Sequence, residues 1–144
     1  MKILDMILNR EKKCELITED FFVSGVSYYT KNIDKLATIR PEWKNADIAR
    51  KNIYKYNYVN YPVKLVPEPS NKHDKNAVQV LISGELVGYI SSSDNLHVLD
   101  ILKKKNVKYV SSFISGGPFK VVSSSGTVST DVKNISINVR IAYS

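Results

Sequence analysis

The sequence predicts a mainly β protein of the α+β class, with two or three α-helices inserted among antiparallel strands. Three observations carry this expectation. Large apolar residues alternate with polar ones at a period of two along several short runs. Gly, Pro, Asn and Ser cluster between those runs, where tight turns need them. Helical spacing of apolar residues is confined to a few segments. With 144 residues, 43% of them hydrophobic, the chain can bury one core in one domain.

Residues 1–18 read as an N-terminal helical extension with Ile3, Leu4, Ile7 and Leu8 along one side, followed by a single domain over 19–144. The start lacks the small-residue cleavage site of a secretory signal. DFFVSGVSYY (20–29) is rich in strand formers, and Gly25 suits a bulge or a close backbone approach. If this strand continues through Tyr28 and Tyr29, those rings face opposite ways, and at least one meets solvent or a groove. KNIDKLATIR (31–40) places Ile33, Leu36 and Ile39 at helical spacing until Pro41 stops it. A second helical piece is expected over 41–56, with Trp43, Ala46 and Ala49 on one stripe.

From Tyr56 the period changes to two, and YNYVNYPVKLV (56–66) reads as one strand. PEPSNKHDKN (67–76) is turn chemistry: its prolines cannot donate to a ladder, and Ser70, Asn71 and Asp74 favour side-chain-to-backbone bonds. AVQVLI and LVGYI then form a hairpin around Gly84. SSSDNLHVLDILKKK (91–105) is the clearest helix, with Ser93 as N-cap, Leu96, Leu99 and Leu102 as the buried stripe, and Lys103 to Lys105 at the negative end of the dipole. VKYVSSFI, PFKVVS after a Gly116–Gly117 turn, and NISINVRIAY complete about seven strands. Closing the sheet would hide its edges, so a small antiparallel barrel like the oligonucleotide-binding (OB) fold is the expected architecture.

Composition narrows the function. Cys14 is the single cysteine, so no intramolecular disulfide forms and a reducing, cytoplasmic setting is expected. No window is long and apolar enough for a membrane helix. The net charge is +7, yet the first 20 residues hold four basic and five acidic side chains, which leaves +8 on the remaining 124. Such a body suits a phosphate-bearing partner, although lysines kept for solubility would give the same charge.

Enzyme signatures are missing: no nucleophile elbow, no Gly-rich phosphate loop, and SGG at 115–117 reads as a hairpin turn. His73 and Asp74 are sequence neighbours, which in a strand face opposite ways. Glu68 is the nearest further carboxylate, too little for two-metal chemistry. No enzyme activity, metal site or cofactor is expected. Nine tyrosines in a basic chain point elsewhere. Rings beside cations hold single strands, bases stacking while Lys and Arg follow the phosphates. Asp74 is by position a turn residue, but a carboxylate at a groove could also accept a hydrogen bond from a sugar hydroxyl, which a terminal nucleotide offers.

LVPEPSNKHDKNAVQV followed by LVGYI resembles the HIRAN family, whose core pattern is an EP.N..D..A..V turn and strand followed by VGY or VGH. FFVSGVSYY looks like that family's first strand with its Gly and aromatic pair, and the resemblance covers roughly residues 19–122 and the terminal strand. It implies an OB-like barrel, found in stand-alone bacterial proteins and fused to DNA remodellers, that captures the 3′-hydroxyl end of single-stranded DNA. Carried over, Tyr28 would stack the terminal base and Asp74 would accept the bond from the 3′-hydroxyl. Asn71 would sit at the pocket edge and Phe119 would close it. Tyr29, His73, Lys75 and Tyr89 complete the expected nucleic-acid-binding set. The departures are Ser27 for an Arg, His73 for a stacking Tyr, Tyr89 for a His and Ser92 for a phosphate-binding Lys; each removes charge or stacking area. The expected function is thus a non-catalytic module for single-stranded DNA with a free 3′ end, with DNA-repair or replication proteins as partners. The alternatives are a protein-interaction adaptor whose pocket no longer takes DNA ends, and a nuclease built on His73 and Asp74.

Overall fold

Period-two burial builds the sheet. Val78, Val80 and Ile82 on one strand and Ile137, Val139 and Ile141 on another are completely buried, while the residues between them reach the other face. The computed structural model describes residues 15–44 and 52–144. Among these residues the strands are β1 (Ile17–Ser24), β2 (Ala37–Ile39), β3 (Ile53–Tyr54), β4 (Tyr56–Tyr58), β5 (Val63–Pro67), β6 (Val78–Ile82), β7 (Glu85–Ile90), β8 (Val107–Val122) and β9 (Val128–Tyr143). Two α-helices, α1 (Thr30–Asp34) and α2 (Asn95–Lys104), and two 3-10 turns, Val26–Tyr29 and Pro41–Lys44, lie between them.

Seven strands form one antiparallel sheet in the order β3-β8-β9-β1-β7-β6-β5, and β2 pairs with β4 apart from it. Phe21, Val23, Val87, Ile90, Ile33 and Leu36 join the β6 and β9 residues in one core, which α2 covers with Val98 and Ile101. The α+β class is as expected. Closure is not found: no ladder joins the end strands β3 and β5 among the described residues, although β5 comes into contact with β8.

Several expectations shift. β1 stops at Ser24, because Gly25 takes a left-handed conformation (φ 75°) and turns the chain into the Val26–Tyr29 3-10 turn. Tyr28 and Tyr29 are therefore turn residues, not members of a strand. The 31–40 helix ends at Asp34; Ile33 and Leu36 are buried as the spacing demanded, but Ile39 lies exposed in β2. Pro41–Lys44 is a single 3-10 turn, and Ala46 and Ala49 lie outside the described residues. So do residues 1–14; Ile17 and Thr18, assigned to the helical extension, belong to β1. The strand expected over 56–66 is two, β4 and β5, with a cis Tyr61–Pro62 peptide between them.

In α2 the buried residues are Asn95, Val98 and Ile101, one position out of phase with the leucine stripe: Leu96 is exposed, while Leu99 and Leu102 flank the core. Asp94, not Ser93, occupies the N-cap position, without a side-chain capping bond. Gly116 and Gly117 make no turn. β8 runs straight through them with a bulge against β9, and a Cβ on Gly116 would overlap the carbonyl of Asn134. Among the described residues no helix is long and apolar enough to cross a membrane.

Candidate nucleic-acid interface

The connection from Glu68 to Ala77 is built from its own side chains. Glu68 N–H donates to the Ala77 carbonyl (2.8 Å) and closes the loop at its base. Asn71 Oδ1 accepts from the backbone N–H groups of His73 (2.9 Å) and Asp74 (3.0 Å), while Asn71 Nδ2 donates to Glu68 Oε1 (2.9 Å). Asp74 Oδ1 accepts from Asn76 N–H (2.8 Å), the Asx turn expected of its position.

Asp74 has a second tie that the turn alone does not explain. Its Oδ2 accepts from Asn95 Nδ2 at 2.7 Å, and Asn95 is only 3% exposed, on the core side of α2. Both carboxylate oxygens are thus held by protein donors, yet a carboxylate has about four acceptor sites, so capacity remains toward the solvent side. Glu68 plays the matching role one row back. It accepts from Asn71, Gln79 and the Tyr89 hydroxyl (3.1 Å), and Tyr89 packs against Tyr29 with ring centroids 6.3 Å apart. Burial raises the Tyr29 phenol above its ordinary value, with the neighbouring Tyr89 hydroxyl and the Glu68 charge adding to it, so the Tyr29 ring stays a neutral wall.

Gly88 makes this assembly possible. Its φ is 155°, and a Cβ there would lie 2.6 Å from the Ser24 carbonyl oxygen and 2.7 Å from Val23 Cγ1. Only glycine lets β7 press against the end of β1, which sets Tyr89 opposite Ser24.

These elements enclose a cavity of about 350 Å³, lined among others by Tyr28, Tyr29, Asn71, His73, Asp74 and Tyr89. Six of the eight residues expected at the site therefore converge. Tyr28 is 87% exposed, a ring standing free at the rim. The other two do not line it. Lys75 is an exposed loop residue, and Phe119 sits on β8 beside Tyr54, with ring centroids 5.3 Å apart, so it does not close the pocket. Among the described residues no Lys or Arg is in the lining; Ser92 is, at the position read as a lost cation. Asn95 and Glu68 were missed as supports. The available signal was a polar residue on the buried face of α2 and a carboxylate three residues before Asn71.

A second, larger cavity of about 730 Å³ adjoins the first and shares Ser24 and Gly25 with it. Phe22, Ser27, Tyr56, Tyr58 and Lys133 are among its lining. Tyr56 and Tyr58 lie with centroids 6.1 Å apart, and burial, with Asp34 and Tyr56 nearby, raises the Tyr58 phenol. Among the described residues no three His, Cys, Asp or Glu side chains converge as metal ligands would.

No curated protein and no solved structure matches this chain. The family model for the HIRAN domain matches residues 18–138, nearly the whole length, and such membership supports nucleic-acid binding. With the EP.N..D turn and the VGY strand both walling one cavity, the chain belongs to the HIRAN domain family.

Proposed function

We propose that this chain is a non-catalytic module that binds the free 3′ end of single-stranded DNA in the cavity between Tyr28 and Asp74. The observation that carries the reading is the pairing itself: an exposed ring and a doubly anchored carboxylate line one small cavity. The ring offers a stacking face to a terminal base. The carboxylate, preorganised by Asn76 and Asn95, offers an acceptor to the terminal hydroxyl at little cost in ordering. A lining without Lys or Arg suits a hydroxyl terminus better than a phosphate one. The charge of the body then steers the strand and the cavity selects its end. A cytoplasmic setting and a role beside DNA-repair or replication proteins belong to this reading.

Titration with two strands of one sequence, ending in a 3′-hydroxyl or a 3′-phosphate, tests it. The hydroxyl strand binds at least tenfold tighter, a factor worth about 1.4 kcal/mol. Asp74→Ala removes the difference, chiefly by weakening the hydroxyl strand. Equal binding of the two ends by the unmodified chain would leave Asp74 a turn residue. The missing cations favour one other reading, a protein-interaction module, and binding to neither strand would select it.

A further inference from the structure

We propose that the larger cavity seats the nucleotides preceding the 3′ end, so that one strand occupies both cavities and crosses between them at Ser24–Gly25. The inference rests on the end-binding reading above and assigns the rest of the path. The two cavities share those two residues as a common wall, and the Val26–Tyr29 turn divides its side chains between them, with Ser27 on the larger side and Tyr28 and Tyr29 on the smaller. A strand whose last base rests on Tyr28 therefore leads directly into the second hollow.

That hollow has the chemistry to hold it. Phe22 is 52% exposed at its wall, and Tyr56 and Tyr58 present two tilted rings. Such faces take any base, because every base has a π-face. Cations continue the path. Lys133 lines the cavity, and Lys55 Nζ lies 5.2 Å from the centroid of the lining Tyr56 ring. Neither lysine is in an ion pair among the described residues. Asp34 is the one carboxylate in the lining among the described residues, so the phosphates must pass on the Lys133 side. Among the described residues the smaller cavity has no Lys or Arg in its wall, and the larger one supplies the charge it lacks.

The experiment is a titration of thymidylate dinucleotide, tetranucleotide and octanucleotide, all ending in a 3′-hydroxyl, against the full chain. Affinity rises at least tenfold from the dinucleotide to the octanucleotide. Tyr56→Ala removes most of that gain and leaves dinucleotide binding and the preference for a hydroxyl end unchanged. Lys133→Glu, an exposed position on β9 that carries no core packing, does the same should Tyr56→Ala fold poorly. Equal affinity at all lengths, with the hydroxyl preference intact, overturns this inference and leaves the end pocket standing. A length gain that survives both substitutions also overturns it, because the strand then runs elsewhere. No binding at any length defeats both.

Discussion

The two cavities that meet at Ser24–Gly25 are held in different ways. Around Asp74 the walls are fixed by directed hydrogen bonds: Asn71 to the loop backbone, Asn95 to the carboxylate, and Glu68 to Tyr89. Around Tyr56 and Tyr58 rings and aliphatic side chains on short strands and on the long β8–β9 pair are set beside a few polar groups, Asp34 and Lys133 among them. Directed bonds fix a point and its donor or acceptor sense, which is what choosing between two chemical ends requires. Apolar area is indifferent to sequence and adds affinity with length. On the proposed reading, one domain separates what it recognises from how strongly it holds.

The largest expected effect would break both cavities together. Gly88→Ala forces a Cβ into the Ser24 carbonyl and Val23, at a φ that side chains rarely adopt, beside the shared wall. Urea denaturation should show a loss of roughly 3 kcal/mol, at the upper end for single substitutions. Asn95→Leu should separate the cavities. It removes the donor to a carboxylate, a bond worth about 1.5–3 kcal/mol, and the end preference should vanish while the length gain stays. A double-mutant cycle with Asp74→Ala should be non-additive, because the two residues act through one bond.

Tyr28→Ala sharpens the contrast from the other side. With the ring 87% exposed, the melting temperature should hardly move, while binding to a 3′-hydroxyl strand weakens by about 1–3 kcal/mol. The smallest effect concerns acid. Glu19 on β1 accepts from Tyr143 (2.8 Å) and meets His97 of α2 (2.9 Å), and these partners hold its carboxyl below the ordinary range, the Tyr143 bond first. A depressed carboxyl stabilises above the unfolded value of about 4.3 and loses that contribution as the pH falls through the lower folded value. Being partly exposed, the cluster is worth under about 1 kcal/mol. Since α2 carries Asn95, stability measured from pH 6 downward should fall less steeply in Glu19→Gln than in the unmodified chain.

Legibility followed the same division. The loop and hairpin from Leu65 to Ile90 could be read because Pro, Asn, Asp and Gly at fixed offsets act through their own backbone. The Asx turn of Asp74 was legible with them. Gly25 was ambiguous: a bulge and a strand end both want a flexible residue, and only the path after it decides. The α2 stripe was misplaced because Leu96, Leu99 and Leu102 satisfy the same spacing as Asn95, Val98 and Ile101. That misplacement hid Asn95. Gly116–Gly117 read as a turn because sequence does not tell a bulge from a reversal when the strand partner lies far along the chain. The second cavity was illegible for a related reason, since Phe22, Tyr56 and Lys133 meet only through tertiary packing.

β9 lies between β8 and β1 in the middle of the sheet, although it is the last strand in the sequence. Glu19 and Tyr143, which it brings together, are 124 positions apart. During synthesis β1 emerges early and must wait for β9 before its long ladder can form, while the β6–β7 hairpin can close locally at once. The Asp74 loop and the Ser24 end of β1 are both held by the β6–β7 hairpin, so the two sides of the smaller cavity can meet before the rest of β1 finds its partner in β9.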